Sequence, residues 1–122
     1  MQTISAEEYR KRRVRLAGFV RGQGIDAWAG LWMRVDGPVA SQHLAFDNME
    51  ERPLRATFDW KEVSVVLDVP AEATYIAFGA LLTGDGSLQL ARLRFEIVDE
   101  QLPTTNQVRR LHPRNLDFAE VP

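Results

Sequence analysis

Apolar and polar residues alternate with a period of two along most of this chain. Such alternation marks a strand with one face on a core. Val14-Arg-Leu-Ala-Gly-Phe-Val20 shows it, and so does the stretch from Trp28 to Asp36. In Glu62 to Val69, Val63, Val65, Leu67 and Val69 share one face, opposite Glu62, Ser64, Val66 and Asp68. Gln2 to Ile4 and His43 to Phe46 predict shorter strands, and Leu54 to Phe58 an extended segment. Thr74 to Leu82 is apolar enough for a strand buried on both faces. In Leu88 to Val98 the parity slips. Leu88 and Leu90 share one face, and Leu93, Phe95 and Ile97 share the other, which predicts a β-bulge near Leu90–Arg92.

The breaks between these runs have turn chemistry. Gly22-Gln-Gly24 interrupts one strand, and Asp36-Gly-Pro38 ends the next. Asp47 to Pro53 is a polar loop, Asp59-Trp60 turns the chain, and so does Pro70-Ala-Glu-Ala73. Thr83-Gly-Asp-Gly-Ser87 reads as a hairpin connection. Ser5-Ala-Glu-Glu8 matches a capping box and predicts one short helix through about Arg12. No segment offers the crossover helices that a parallel sheet needs. The expected fold is all-β: an antiparallel jelly-roll β-sandwich with one short N-terminal helix.

Composition narrows the classes. A chain of 122 residues suits one domain. Residues 1–100 carry the strand pattern, whereas 101–122 hold half the prolines and read as a C-terminal extension or linker, with Leu116 and Phe118 able to dock it. A net charge of −2, from 15 basic and 17 acidic residues, argues against a nucleic-acid partner. The basic run Arg10-Lys-Arg-Arg13 follows Glu7 and Glu8 and reads as a solvated surface. The chain has no cysteine, which removes disulfides and thiol chemistry. It also lacks an apolar run long enough for a membrane span and a signal-peptide pattern. A cytoplasmic protein, or a domain of a larger one, is expected, with no membrane partner.

Candidate chemistry gathers on the Trp28–Pro38 strand. One face carries Trp28, Gly30, Trp32, Arg34 and Asp36; the other carries Ala29, Leu31, Met33 and Val35. Trp28 and Trp32 lie about 13 Å apart along such a strand. Each indole could stack on a separate ring of a sugar chain or planar ligand, or serve as core. Arg34 offers a planar fork for hydroxyl pairs or a carboxylate, or an internal ion pair with Asp47 or Asp59. Asp47, Asn48 and Arg52 could rim the site, although Asp and Asn in a loop also bond their own backbone. Nothing specific supports catalysis. His43 and His112 are distant and too few for a zinc site, and there is no Gly-x-Ser-x-Gly elbow. Glu7-Glu8 and Glu50-Glu51 are adjacent pairs, unlike carboxylates facing across a cleft. No cofactor is called for.

Several segments also resemble a bacterial jelly-roll domain of the galactose-binding-like, carbohydrate-binding-module-like type. They are Tyr9 to Leu16, Trp28 to Pro38, Leu44 to Met49, Thr57 to Trp60, Val65 to Pro70 and Ile76 to Gly79. The resemblance spans roughly residues 1 to 99. It implies a β-sandwich attached to a regulator or an enzyme, with ligand on a concave sheet face. Such domains often carry an acidic pair in the last strand and an aromatic nearby, where this chain has Ala91-Arg92 and Gln89. No metal site is carried over. The resulting expectation is a non-catalytic module that binds a carbohydrate or other small molecule through Trp28, Trp32, Arg34, Asp47, Asn48 and Arg52 on the concave face. The alternative is a sensory or protein-interaction domain of a bacterial regulator, with an attached domain of the same protein as partner. A small hydrolase or isomerase is a third reading, favoured by a deep pocket with a His43–carboxylate contact.

Overall fold

The structure, a computed structural model, describes residues 2–39 and 43–105. One strand organises it. β2 runs unbroken over Arg12–Asp36. β3 (His43–Asp47) and β4 (Leu54–Val69) follow one of its edges in succession. β5 (Tyr75–Thr83) and β6 (Ser87–Val98) follow the other. β1 (Gln2–Ser5) pairs with β5. All these pairings are antiparallel, within a single six-stranded sheet.

The all-β antiparallel expectation holds, but the layers differ from a jelly-roll sandwich. A single sheet curls into a half-barrel, so the two sheets expected of a sandwich are halves of one. The expected helix is a 3-10 turn, Glu7–Tyr9. Ser5 Oγ accepts the Glu7 N–H at 3.2 Å. Lys11, at φ 65°, then turns the chain into β2 before a second helical turn can form.

The curl follows from three bends on one line. A flat strand of 25 residues would separate its ends by about 80 Å. Here both ends of β2 meet the short connection between β4 and β5. Lys11 N–H donates to Val69 O at 2.6 Å, and Thr74 N–H donates to Asp36 O at 2.8 Å. β2 bends around Gly22–Gly24, where its pairing with β4 loses register and Gly24 has φ 59°. β4 bends at Ala56, φ 63°, opposite Ile25. The other edge bends at Gly84 and Gly86, with φ 78° and 122°.

The third bend corrects the expected hairpin. Thr83↔Trp28 and Ser87↔Gln23 are successive pairings along β2, so β5 and β6 run on in one direction instead of pairing with each other. Residues 84–86 fold this edge in step with β2. Asp26 fixes the corner: its N–H donates to Asp85 O at 3.1 Å, and its carboxylate accepts the Asp85 N–H at 2.7 Å.

Folding over places the apolar faces of both halves against each other. Val14, Leu16, Val20, Val65 and Leu67 from one half join Leu31, Met33, Val35, Ala45 and Ile76 from the other in one buried cluster. Phe78 of β5 stacks on Phe95 of β6 with centroids 5.7 Å apart, and Tyr9 meets Phe95 edge-on at 5.0 Å. Along a flat edge the two phenylalanines would be about 55 Å apart. Burial on both faces of β5 is confined to Ile76–Phe78; Ala80, Leu82 and Thr83 are exposed. The expected bulge in β6 is present as a register shift opposite Ala17–Phe19, with Arg92 at φ 54°.

Beyond β6 the chain is held against the sheet. The Arg13 guanidinium donates to Glu100 O and Leu102 O at 2.6 and 2.7 Å, and Thr105 N–H donates to Val66 O at 2.8 Å. The rest of the expected extension, with Leu116, Phe118 and His112, lies outside the described residues. No helix among the described residues is long and apolar enough to cross a membrane.

Two substitutions on the bend line should act in opposite directions. A Cβ at Gly86 would sit 2.6 Å from Gly24 O, at a φ that L-residues rarely adopt. Gly86→Ala should destabilise the fold by about 2–3 kcal/mol, and Ala56→Gly should stabilise it by about 1 kcal/mol. Urea unfolding of both variants checks this.

Candidate functional site

The Trp28–Asp36 segment of β2 has the expected parity. Ala29, Leu31, Met33 and Val35 are fully buried, whereas Trp28, Trp32, Arg34 and Asp36 are half-buried on the opposite face. The location of that opposite face differs from expectation. The concave side of the curl is filled by the core, so the Trp-bearing face is the convex outside of the half-barrel. A continuous aromatic groove on a concave sheet is therefore not formed by these residues.

Trp32 lies across β5. Its register partner is Gly79, and a Cβ at that glycine would be 3.1 Å from the indole Nε1. Without a side chain there, the indole can lie low on the sheet. Trp28 pairs with Thr83 at the far end of β5, where Thr83 Oγ1 donates to Trp28 O at 2.9 Å. Gly30, between the two indoles, is covered by the loop after β3: a Cβ would sit 2.9 Å from Met49 Cβ and 3.0 Å from Asn48 O. The two tryptophans are thus divided by a crossing segment of backbone.

Arg34 bonds to neither of its expected partners. Its Nε donates to both carboxylate oxygens of Asp36, at 2.9 and 3.0 Å. Asp36 is shared with His43, whose Nδ1 lies 2.9 Å from Oδ1. Parity explains the trio: Arg34 and Asp36 are neighbours on one face of β2, and the register shift at Val35–Asp36 sets His43 opposite Asp36. The His43–carboxylate contact that a hydrolytic reading calls for exists, but on an open surface, with the His43 side chain 49% exposed. Here Asp36 holds Arg34 and meets His43 on the sheet exterior.

Asp47, Asn48 and Arg52 form a separate cluster. Asp47 pairs with Met33 and shares its inward parity, so its side chain is fully buried. Its Oδ1 accepts the Met49 N–H at 3.0 Å, and its Oδ2 accepts from Arg52 Nη2 at 2.6 Å. Asn48 Oδ1 accepts the Glu50 N–H at 3.0 Å. These are the bonds of a compact turn, and they bring the loop over Gly30. The structure therefore groups Trp32 and Arg34 with Asp36 and His43, sets Trp28 beyond the crossing loop, and places Asp47 under the loop with Arg52 on it.

Sequence reasoning passed over a second aromatic surface, on the outer face of the other half. β4 runs through Asp59 and Trp60 without a turn. Trp60 is 44% exposed and lines a cavity with Phe19, Ala91 and Arg92. The signal lay in the alternation: Trp60 continues the outward set Glu62, Ser64, Val66 and Asp68. Arg94 lies on this outer surface, and its pKa is raised chiefly by its hydrogen bond to Glu62.

No family model matches the chain, and no solved structure matches it. Over 106 residues it is 42% identical to an uncharacterized HTH-type transcriptional regulator, YbfP, of Bacillus subtilis (strain 168). The match takes in 87% of this chain and 36% of that protein, so the chain spans about a third of the length of the curated relative. The chain is a homologue of part of that regulator.

The buried carboxylate supplies a test of the loop. Arg52→Ala leaves the buried Asp47 carboxyl without its guanidinium partner, beside the Met49 N–H, and should cost about 3 kcal/mol in urea unfolding. The double variant Asp47→Ala/Arg52→Ala should recover part of that loss.

Proposed function

We propose that this chain is a regulatory domain of an HTH-type transcriptional regulator, one that receives a signal or contacts a neighbouring domain and does not read DNA. The observation that carries the reading is the 42% identity over 106 residues to a part of such a regulator. Physical chemistry supports the division of labour. A helix-turn-helix reads DNA with two packed helices, the second lying in the major groove. Among the described residues the helical element is a 3-10 turn of three residues. A regulator built this way would carry its DNA-reading helices in the remainder of its length. A net charge of −2 also offers no overall positive field of the kind that steers a protein to DNA.

This reading stands ahead of a carbohydrate platform because the Trp28–Trp32 face is convex and interrupted at Gly30. The patch of Trp32, Arg34, Asp36 and His43 suits a contact surface: an indole face for packing, beside a guanidinium held in one orientation by its carboxylate. A sugar or other small metabolite on Trp32 and Arg34 is the narrower form of the same proposal, in which the domain senses a ligand.

Two measurements test it. In fluorescence anisotropy at low salt, the 122-residue chain should show no preference between a bacterial promoter fragment and scrambled DNA. Sequence-specific binding by the chain alone would contradict the proposal. A thermal-shift screen of sugars and small metabolites tests the narrower form. A true ligand at a hundred times its Kd should stabilise the fold by about 2.7 kcal/mol, and Trp32→Ala should remove the shift while leaving a cooperative transition.

A further inference from the structure

The outer face of the Arg12-to-Gly22 half of β2 carries a groove that the regulatory reading leaves unused. Phe19, Trp60, Ala91 and Arg92 line a cavity of about 250 Å³. Phe19 is half-buried and pairs with Ala91 on β6. Trp60, from β4, has much of its indole open to solvent, which is uncommon for a residue so highly buried on average.

The charges around the groove are unbalanced. Arg94 donates to Glu62 at 2.6 Å, and Arg15 Nε lies 2.8 Å from Glu96, so both glutamates near the groove face a cation. Asp59 accepts the N–H of Trp60 at 2.8 Å. Against that one remaining carboxylate stand two guanidiniums without an ion-pair partner among the described residues. The Arg21 guanidinium carbon lies 6.0 Å from the Trp60 ring centroid. The Arg92 side chain makes no hydrogen bond or ion pair among the described residues.

Arg92 is also the bulged residue of β6, held at φ 54°, where a non-glycine residue is strained. A bulge re-aims the side chain it carries, and this one puts Arg92 on the cavity wall. Glycine would adopt this φ without strain. An arginine at a strained bulge, beside an open indole, is what a binding groove for an anion would have.

We propose that this groove is a binding site for a small planar aromatic anion, a one- or two-ring carboxylate, stacked between Phe19 and Trp60 with its charge toward Arg92 and Arg21. The size sets the limit: drug-sized ligands occupy roughly 300–1,000 Å³, so one or two rings fill this space. The apolar lining takes the ring faces, and the two guanidiniums supply the charge that a neutral aromatic would leave unpaired. The site is separate from the Trp32–Arg34 patch and stands whether or not the domain belongs to a regulator.

The test uses the purified 122-residue chain with 2-naphthoate as probe and 2-naphthylmethanol as its neutral counterpart, read by calorimetry and by the indole N–H signals of the three tryptophans. The expected result is saturable binding of 2-naphthoate, about tenfold tighter than the alcohol, with the Trp60 signal moving most. Arg92→Gly should weaken 2-naphthoate by about tenfold and leave the alcohol unchanged, while raising Tm by a few degrees through relief of the positive φ. A purely structural Arg92 would lower Tm instead. Trp60→Ala should weaken both probes. No saturable binding, equal affinity for the neutral alcohol, or a perturbation centred on Trp32 would each overturn the proposal. None of these outcomes bears on whether the chain reads DNA.

Discussion

The fold depends on one line across the sheet where β2, β4 and the β5–β6 edge bend together. β2 gives way at Gly22–Gly24, β4 at Ala56, and the β5–β6 edge at Gly84–Gly86. If one strand bent and its neighbours did not, the ladder would tear. Because all three yield at the same level, pairing continues on both sides of the bend and the sheet closes on itself. Asp26 ties the corner with two bonds to Asp85. The cost is backbone strain at Ala56. The return is one shared core, in which Leu16 and Leu67 from one half are sealed with Met33 and Ile76 from the other.

That closure decides which surfaces can act. Inward-facing side chains of β2 are committed to the core on both sides of the bend, so every outward residue is on the convex exterior. The exterior then divides at the bend. One half displays Trp32, Arg34, Asp36 and His43, with Asp36 bonded to both Arg34 and His43. The other displays Phe19, Trp60 and Arg92 with cationic charge to spare. Two aromatic surfaces of different charge character thus lie on the two halves of one sheet.

Much of this was legible in the sequence. Alternation gave the faces of the Trp28–Asp36 strand correctly, and the parity slip in Leu88–Val98 located the Arg92 bulge. Gly22–Gly24 and Gly84–Gly86 were visible as breaks, but local signals do not say whether a glycine ends a strand or bends it. The same chemistry serves a hairpin and a corner, and only the pairing of both β5 and β6 with β2 separates them. Asp59-Trp60 reads locally as a turn, yet β4 runs through it, and the bend in that strand is at Ala56. Asp47 was the hardest to read. A loop aspartate is ordinarily solvated, and its burial depends on Arg52 arriving from five residues away. The resemblance of segments such as Trp28–Pro38 already named a regulator's domain as the alternative, and the 42% identity over 106 residues to part of an HTH-type regulator backs that alternative better than the carbohydrate reading.

Closure of the sheet on itself is most directly tested by the contact between Phe78 and Phe95, which belong to opposite halves. Nuclear Overhauser spectroscopy on the aromatic protons should give strong cross-peaks between the two rings, as centroids 5.7 Å apart require. Accompanying cross-peaks should join Tyr9 to Phe95. Cross-peaks confined within each half, with none between the rings of Phe78 and Phe95, would mean an open sheet and would contradict the shared core on which the placement of both outer surfaces rests.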